Sequence, residues 1–316
     1  MGNKHLHRAK GVRNDEYYTQ LTDIETELGH YRHHFKNKHI YCNCDNPGFS
    51  KFWEYFHTHF SEFGLKQLTA TYYDRTAFVS RYDYCGGDDA DISDAVLTPL
   101  TSHGDFRSPQ CTAIMKEADI VITNPPYSLM QQFVVYLNKY AKDFIFIGPM
   151  NTVHYKEVFP YIKSKRILCG VNSMDTNDMR FLTDTGDYVT AVAWWFTTLV
   201  PDIEKPYYRF TTEYDPGKHP HYENYDAVDV SKTAEIPDNY YDVIGIALSF
   251  LKQLNYNQFD LIDISKRGPA DMSLRTKIYT ASDAPNYCDL NASAVLVDAN
   301  GERKSTYDRL LIKRKR

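Results

Sequence analysis

No run of apolar residues in this chain approaches the ~20 needed to cross a bilayer as a helix. The opening stretch, Met1 to Arg13, is polar and basic. The reading therefore expects neither a membrane span nor a signal peptide. No Cys-x-x-Cys pair occurs among the cysteines Cys42, Cys44, Cys85, Cys111, Cys169 and Cys288. They read as reduced thiols of a cytoplasmic protein. Twelve histidines are present, with His30, His33 and His34 at helical spacing and His57/His59 and His219/His221 as close pairs. None sits beside a matching Cys or His group at zinc-site spacing, so no metal is expected. Excess positive charge is missing too: 36 Lys and Arg against 41 Asp and Glu leave a net charge of −5. Any face that meets nucleic acid must then be local. The basic ends, His5 to Arg13 and Lys313 to Arg316, offer one each, although on charge alone both read as solvated, frayed termini. There is no internal repeat, no low-complexity tract and no Gly-x-Gly-x-x-Gly turn.

The 316 residues suffice for one large domain or two modest ones, and 26 of them are tyrosine. Most of those rings must serve packing, although aromatics also suit base stacking. The stretch around which the rest arranges itself is Asp119-Ile120-Val121-Ile122-Thr123-Asn124-Pro125-Pro126-Tyr127-Ser128. It reads as a short buried strand that stops at a rigid polar loop. Ser128 is placed to cap a following helix, in which Leu129, Phe133, Tyr136, Leu137 and Tyr140 recur at helical spacing. An adenine exocyclic amine is a poor nucleophile because its lone pair is delocalised into the ring. The Asn124 side-chain oxygen and the Pro125 carbonyl could accept its two hydrogens, which draws the lone pair out of conjugation and aims it. Two prolines fix φ, so the carbonyl is set beforehand. Tyr127 offers a flat face to a flipped-out base. The competing reading is an ordinary strand-to-helix turn, for which Asn and Pro are common residues.

Upstream, Asp15 to Gln20 lead into Thr22-Asp23-Ile24-Glu25, which has the form of a capping box, and Ile24, Leu28, Tyr31 and Phe35 mark one apolar face. His39 to Asp45 reads as the first strand of a parallel sheet and ends at Asn46-Pro47-Gly48. A helix capped by Ser50 follows, with Phe49, Phe52, Trp53, Phe56, Phe60 and Phe63 at helical spacing. Strand, polar turn, helix is where an open α/β sheet binds a nucleotide-like ligand. Leu68 to Tyr73 is the second strand, with Asp74 the nearest acid for ribose hydroxyls. Residues 75 to 104, rich in Gly, Asp, Ser and Thr, read as a hairpin-like excursion leaving the sheet. Asp105-Phe106 could accept from a cofactor adenine amine and stack its ring; Asp105 could equally cap the helix around Gln110 to Glu117. Phe144 to Gly148 is a buried strand. A helix near Tyr155 to Ile162 and a strand at Arg166 to Gly170 continue the alternation. Val189 to Leu199 reads as a late strand, antiparallel to its neighbour, with Trp194 and Trp195 in the core. Alternating strands and helices imply an α/β fold with a doubly wound, mostly parallel sheet. Beyond Pro201 the periodicity is lost. Val243 to Leu251 is apolar, Asn255 to Gln258 has the form of a cap for a helix through Ile264, and strands are expected at Ala294 to Val297 and Tyr307 to Ile312.

With these segments in order, the chain resembles the EcoRI-type adenine-N6 DNA methyltransferases. The segments that carry the resemblance are Asp15 to Gln20 with Asp23-Ile24-Glu25, Tyr41 to Asp45, Gly104 to Ser108, Ala118 to Leu129 and Tyr155 to Phe159. C-terminally they are Asn224 to Ala227, Ile236 to Asp238 and Gln258 to Ile262, so nearly the whole chain is covered. The family motif often ends in Phe where this chain has Tyr127. Residues 75 to 104 and 171 to 188 are least similar. The resemblance implies a Rossmann-like methyltransferase core over 1–200 and a C-terminal DNA-recognition region over 201–316, packed on the core. It implies a cytoplasmic monomer that binds S-adenosyl-L-methionine and flips an adenine from double-stranded DNA, in the manner of restriction-modification enzymes. Asn124, Pro125, Pro126 and Tyr127 would form the catalytic loop. Tyr17, Tyr18, Thr19, Asn43, Cys44, Asp45, Asp105 and Phe106 would line the cofactor pocket, with no metal. The rivals are an amino-methyltransferase acting on RNA or on a protein glutamine, and a catalytically silent DNA-binding homologue.

Overall fold

The structure is a computed structural model and describes residues 17–172, 178–183, 186–265 and 274–316. The basic stretch His5 to Arg13, Asp15-Glu16 and parts of 171 to 188 lie outside the described residues. The chain divides into two compact units, Met1–Ile203 and Glu204–Arg316.

The first unit carries strands β1 (Tyr17–Thr19), β2 (His39–Asn43), β3 (Gln67–Thr71), β4 (Ser80–Tyr84), β5 (Val96–Pro99), β6 (Ile120–Thr123), β7 (Asp143–Pro149), β8 (Leu168–Cys169), β9 (Asp178–Thr183) and β10 (Tyr188–Thr197). They form one sheet in the order β1-β9-β10-β7-β6-β2-β3-β4-β5, with β8 paired to β10. Its centre, β3-β2-β6-β7, is parallel. Both flanks are antiparallel. The central strands read Ile-Tyr-Cys, Ile-Val-Ile and Phe-Ile-Phe-Ile, apolar on both faces, as a strand covered on both sides must be.

Helices cover both faces. On one, Ile40 and Cys42, Leu68 and Ala70, Ile120 and Ile122, and Ile145 and Ile147 share a core with Ile24, Leu28, Tyr31 and Phe35 and with Phe52, Trp53 and Phe56. Those partners come from the helix Leu21–Leu28, the tighter turn Gly29–His34 that continues it and ends at Phe35, and the helix Lys51–Thr58. On the other face lie the helices Pro109–Glu117 and Met130–Tyr140. Phe133 meets Phe146 edge-on at 6.2 Å. The expected doubly wound α/β architecture is what these layers form. Trp194 and Trp195 are buried in the antiparallel strand β10, as expected.

Several local expectations need correction. Residues 75 to 104 do not leave the sheet: β4 and β5 extend it antiparallel from β3. Tyr84 turns into the core, while Arg81 and Asp83 pair at 2.6 Å. The Asp- and Gly-rich part is only the connection between them, where Asp88, Asp91 and Asp94 accept from the connection's own backbone N–H groups. The first helix starts at Leu21, so Thr22 is not its cap; the Thr22 carbonyl accepts from the Thr26 hydroxyl at 2.6 Å. Ser128 caps nothing, because a 3-10 turn, Tyr127–Leu129, precedes a helix that begins at Met130. The helix near Tyr155 starts only at Phe159. The strand at Arg166 to Gly170 is reduced to β8 and is antiparallel to β10. Phe49 is 64% exposed and precedes the helix that Ser50 does cap.

The second unit has a four-stranded sheet, β11 (Val228–Asp229), β12 (Val243–Ala247), β13 (Phe259–Ser265) and β16 (Arg309–Arg314), in the order β11-β12-β16-β13, and a two-stranded one of β14 (Val295–Val297) and β15 (Arg303–Ser305). The helix expected through Ile264 is the strand β13. Asn255 Oδ1 accepts from Asn257 N at 2.9 Å, a turn that feeds a strand rather than a cap. A bulge between Leu261 and Asp263 interrupts the period-two pattern and hides it. The C-terminal cations are not frayed. β16 is a central strand, Arg314 pairs with Asp238 at 2.7 Å, and Lys315 donates to the Tyr256 carbonyl at 2.7 Å.

Candidate active site

The parallel strands all point the same way, so the loops after β2, β3, β6 and β7 gather at one edge of the sheet. Chemistry-bearing residues concentrate there. β2 ends in Asn43, and the chain then turns at Cys44 with φ of 66°. That left-handed conformation is normally supplied by glycine. Here Cys44 makes the turn, which is how a strand without a glycine-rich loop still delivers Asp45 back to the sheet. Asp45 N donates to the Thr71 carbonyl of β3 at 3.0 Å.

Asp45 is 7% exposed and acts as a hub. Ser50 Oγ donates to its Oδ1 at 2.8 Å, while the same Oγ accepts from Phe52 N and so caps the helix Lys51–Thr58. Thr123 Oγ1 donates to Asp45 Oδ2 at 2.6 Å and also lies against the Asn43 carbonyl. Thr123 is the last residue of β6 and directly precedes Asn124. The end of the candidate catalytic strand is thereby stitched to the end of the candidate cofactor strand. Thr123 went unremarked in the sequence, although it is the lone polar residue closing an Ile-Val-Ile run.

In the tetrapeptide, Pro125 is buried and Asn124, Pro126 and Tyr127 are half-buried. Pro126 holds φ −63° and ψ 124° ahead of the 3-10 turn that carries Tyr127. The Tyr127 ring meets Phe181 of β9 edge-on at 6.3 Å. Phe181 lies opposite Thr19 of β1 in the β1–β9 register. In turn the Tyr18 ring stands 6.0 Å from Phe49, just past the Asp45 turn. The structure therefore brings β1, the Asn43–Asp45 turn and the Asn124–Tyr127 loop together. Two buried polar groups at this edge make no hydrogen bond to the described residues: the Thr19 hydroxyl and both ends of the Asn43 amide. Buried polar groups are almost always satisfied, so each marks a place for a polar ligand or water.

Asp105 and Phe106 arrive from the β3 side. Gly104, at φ 78°, lies so close to the Tyr72 carbonyl that a Cβ would sit 1.8 Å from that oxygen. Only glycine brings this loop in. Ser108, not Asp105, caps the helix Pro109–Glu117. Phe106 is buried edge-on to Phe133 at 5.2 Å and Tyr136 at 5.6 Å. Asp105 pairs with Arg107 at 2.5 Å, and the hydrogen bonds from that guanidinium hold its carboxyl below the usual range. Asp74 is also held ionised, by the backbone and side-chain hydrogen bonds of Thr76 in its own loop. Burial, with Asp45 nearby, pushes the Cys42 thiol well up, which makes it an inert core group. No group of three or more His, Cys, Asp or Glu side chains able to hold a metal ion occurs among the described residues.

The profile of the adenine-specific methyltransferase EcoRI family matches residues 5–315. Type II methyltransferase M.EcoRI of Escherichia coli is 35% identical over 84% of this chain and 90% of its own length. Type II methyltransferase M.MpnI of Mycoplasma pneumoniae is 31% identical over 88% of this chain and 91% of its own. Type II methyltransferase M.MgeORF184P of Mycoplasma genitalium is 30% identical over 98% of each.

Proposed function

Because the chain belongs to the adenine-specific methyltransferase EcoRI family, we propose that it moves a methyl group from S-adenosyl-L-methionine to the N6 amine of an adenine turned out of duplex DNA. Membership makes it a DNA adenine methyltransferase of the restriction-modification kind. The donor, the duplex and the residue roles are the proposed part. The observation that carries them is the stitching of Asn124-Pro125-Pro126-Tyr127 to the Asp45 turn through Thr123. It supports the reading because a loop proposed to hold the amine then stands beside one proposed to hold the donor, as a transfer between two bound molecules requires.

The residues fit the donor. The buried Thr19 hydroxyl and Asn43 amide await polar partners, Asp45 follows β2, and Asp105 sits in the loop that Gly104 brings against Tyr72, just past the neighbouring strand β3. With Tyr17, Tyr18, Cys44 and Phe106 they would hold it. When bound, S-adenosyl-L-methionine supplies an electrophilic methyl group on a sulfonium. The side chain of Asn124 and the carbonyl of Pro125 accept from the target amine and aim its lone pair in line. Tyr127 stacks on the base and offsets part of the few kcal/mol that flipping costs. No side chain need act as a strong base first, because the amine becomes acidic as it is alkylated and loses its proton afterwards. All these residues fall in the first unit, which leaves Glu204–Arg316 to read DNA. No described helix is long and apolar enough to cross a membrane.

Asn124→Ala tests the assignment. We expect methylation of DNA to fall by at least ~100-fold, as when a group that stabilises developing charge is removed. Cofactor binding should survive largely intact. A rate within a few-fold of the parent would remove Asn124 from the mechanism.

A further inference from the structure

We propose that Arg107 is a positioning residue that presents Asp105 as a selective acceptor for the 6-amino group of the cofactor's purine and ties that acceptor to the helix behind the catalytic loop. The inference rests on the reading of Asp105 and Phe106 as the seat of the cofactor's base.

Arg107 reaches three things at once. It donates to Asp105 Oδ1 from its backbone N at 2.8 Å and from Nε at 2.9 Å. It donates to Asp105 Oδ2 from Nη2 at 2.5 Å. Its remaining arm, Nη1, donates to Gln132 Oε1 at 2.7 Å. Its guanidinium also lies 5.4 Å from the centre of the Phe106 ring.

A carboxylate has about four acceptor positions, two on each oxygen. Arg107 fills both on Oδ1 and one on Oδ2. A single position on Oδ2 is left by this arrangement, and an ionised acid there can only accept. An amine is therefore favoured, and a 6-oxo purine, which turns a carbonyl oxygen toward the acid, is repelled. A guanidinium stays charged at any working pH, so Asp105 is kept an acceptor rather than a donor. The side chains of Asp105 and Arg107 are 31% and 38% exposed, so the pair is not part of the core.

The third arm gives the coupling. Gln132 belongs to the helix Met130–Tyr140, which begins one residue after the turn carrying Tyr127. Phe106 packs on Phe133 and Tyr136 of the same helix. Filling the purine seat thus bears on the helix that supports the catalytic loop.

The test uses the full chain and two stable probes, S-adenosyl-L-homocysteine and its 6-oxo counterpart S-inosyl-L-homocysteine, titrated by calorimetry. The parent should prefer the adenosyl form by at least about tenfold, the scale of one hydrogen bond to a charged group. Arg107→Ala should bring the preference to within about threefold, and Arg107→Lys, which keeps charge but not the fork, should fall between. Gln132→Ala should keep the preference and lower kcat on DNA by more than about threefold, since it breaks only the tie to the helix. If the parent discriminates and Arg107→Ala discriminates equally, Arg107 has no such role. If the parent itself does not discriminate, Asp105 is not the purine acceptor, and the reading beneath this inference fails with it. If Arg107→Ala does not fold, Arg107→Lys decides alone: an undiminished preference overturns the proposal. An unchanged kcat in Gln132→Ala overturns the coupling.

Discussion

Thr123 stands one residue before the proposed catalytic tetrapeptide, with its hydroxyl 2.6 Å from a carboxylate that is 7% exposed. Thr123→Val keeps the shape and removes the proton that Asp45 accepts. A buried charged group that loses a donor costs ~1–3 kcal/mol, so chemical denaturation should register a loss of that size, with weaker cofactor binding beside it. An unchanged midpoint would mean that the contact holds nothing. Tyr127 separates stacking from hydroxyl chemistry. Tyr127→Phe keeps the ring and should hold kcat/KM within a few-fold. Tyr127→Ala should lose roughly tenfold or more, because stacking of a base on an aromatic ring contributes ~1–3 kcal/mol. Equal losses in both variants would assign the role to the hydroxyl instead. At this scale the sequence was most legible where a residue type has few uses: Asn-Pro-Pro-Tyr after an apolar strand advertises itself. Thr123 and Arg107 do not, because a threonine and an arginine have many ordinary uses. Their value comes from partners such as Asp45 for Thr123 and Gln132 for Arg107, the former 78 positions away in the chain and the latter 25.

Among elements, the central strands β2, β3, β6 and β7 were readable because burial on both faces leaves unbroken apolar runs. The flanking strand β10 was readable too, but β4 and, in the second unit, β13 were not. β4 buries only Tyr84, its other residues being half-buried, and leads into an acidic, glycine-rich connection, while β13 carries a bulge that breaks its period. The turn after β2 was readable only as an absence of glycine. Its physical content is the positive φ of Cys44. Cys44→Gly should therefore leave stability within about 0.5 kcal/mol, since relief of left-handed strain offsets the entropy that glycine adds. Cys44→Val should cost ~1–2 kcal/mol, because a β-branched side chain fits that conformation worst. Thermal melts of the pair check this, and an unperturbed valine variant would mean that the turn is not strained.

At the scale of the whole molecule, one acid cluster in the second unit ties stability to pH. In the second, Glu223 accepts from Arg303 at 2.6 and 2.8 Å, from Lys277 at 2.9 Å and from the Tyr279 hydroxyl at 2.8 Å. Chiefly through Arg303, its pKa is lowered from 4.5 to about 2. A lowered acid stabilises the fold while ionised. Its contribution is complete above pH 4.5, declines as the unfolded chain takes up the proton first, and is gone by about pH 2. Urea denaturation across that range should show stability falling with pH, and Glu223→Gln should flatten the slope while lowering stability at pH 7. A parallel slope in the variant would move the acid sensitivity elsewhere. The central claim concerns the reaction itself, and one measurement tests it directly. The protein is incubated with methyl-labelled S-adenosyl-L-methionine and unmethylated genomic DNA, RNA or a protein extract, and each product is digested and analysed by mass spectrometry. The account predicts label in N6-methyladenine of DNA, at positions that share one sequence, and none in RNA or protein. Label confined to RNA or to a protein side chain, or no transfer at all from a folded protein that binds the donor, would contradict it.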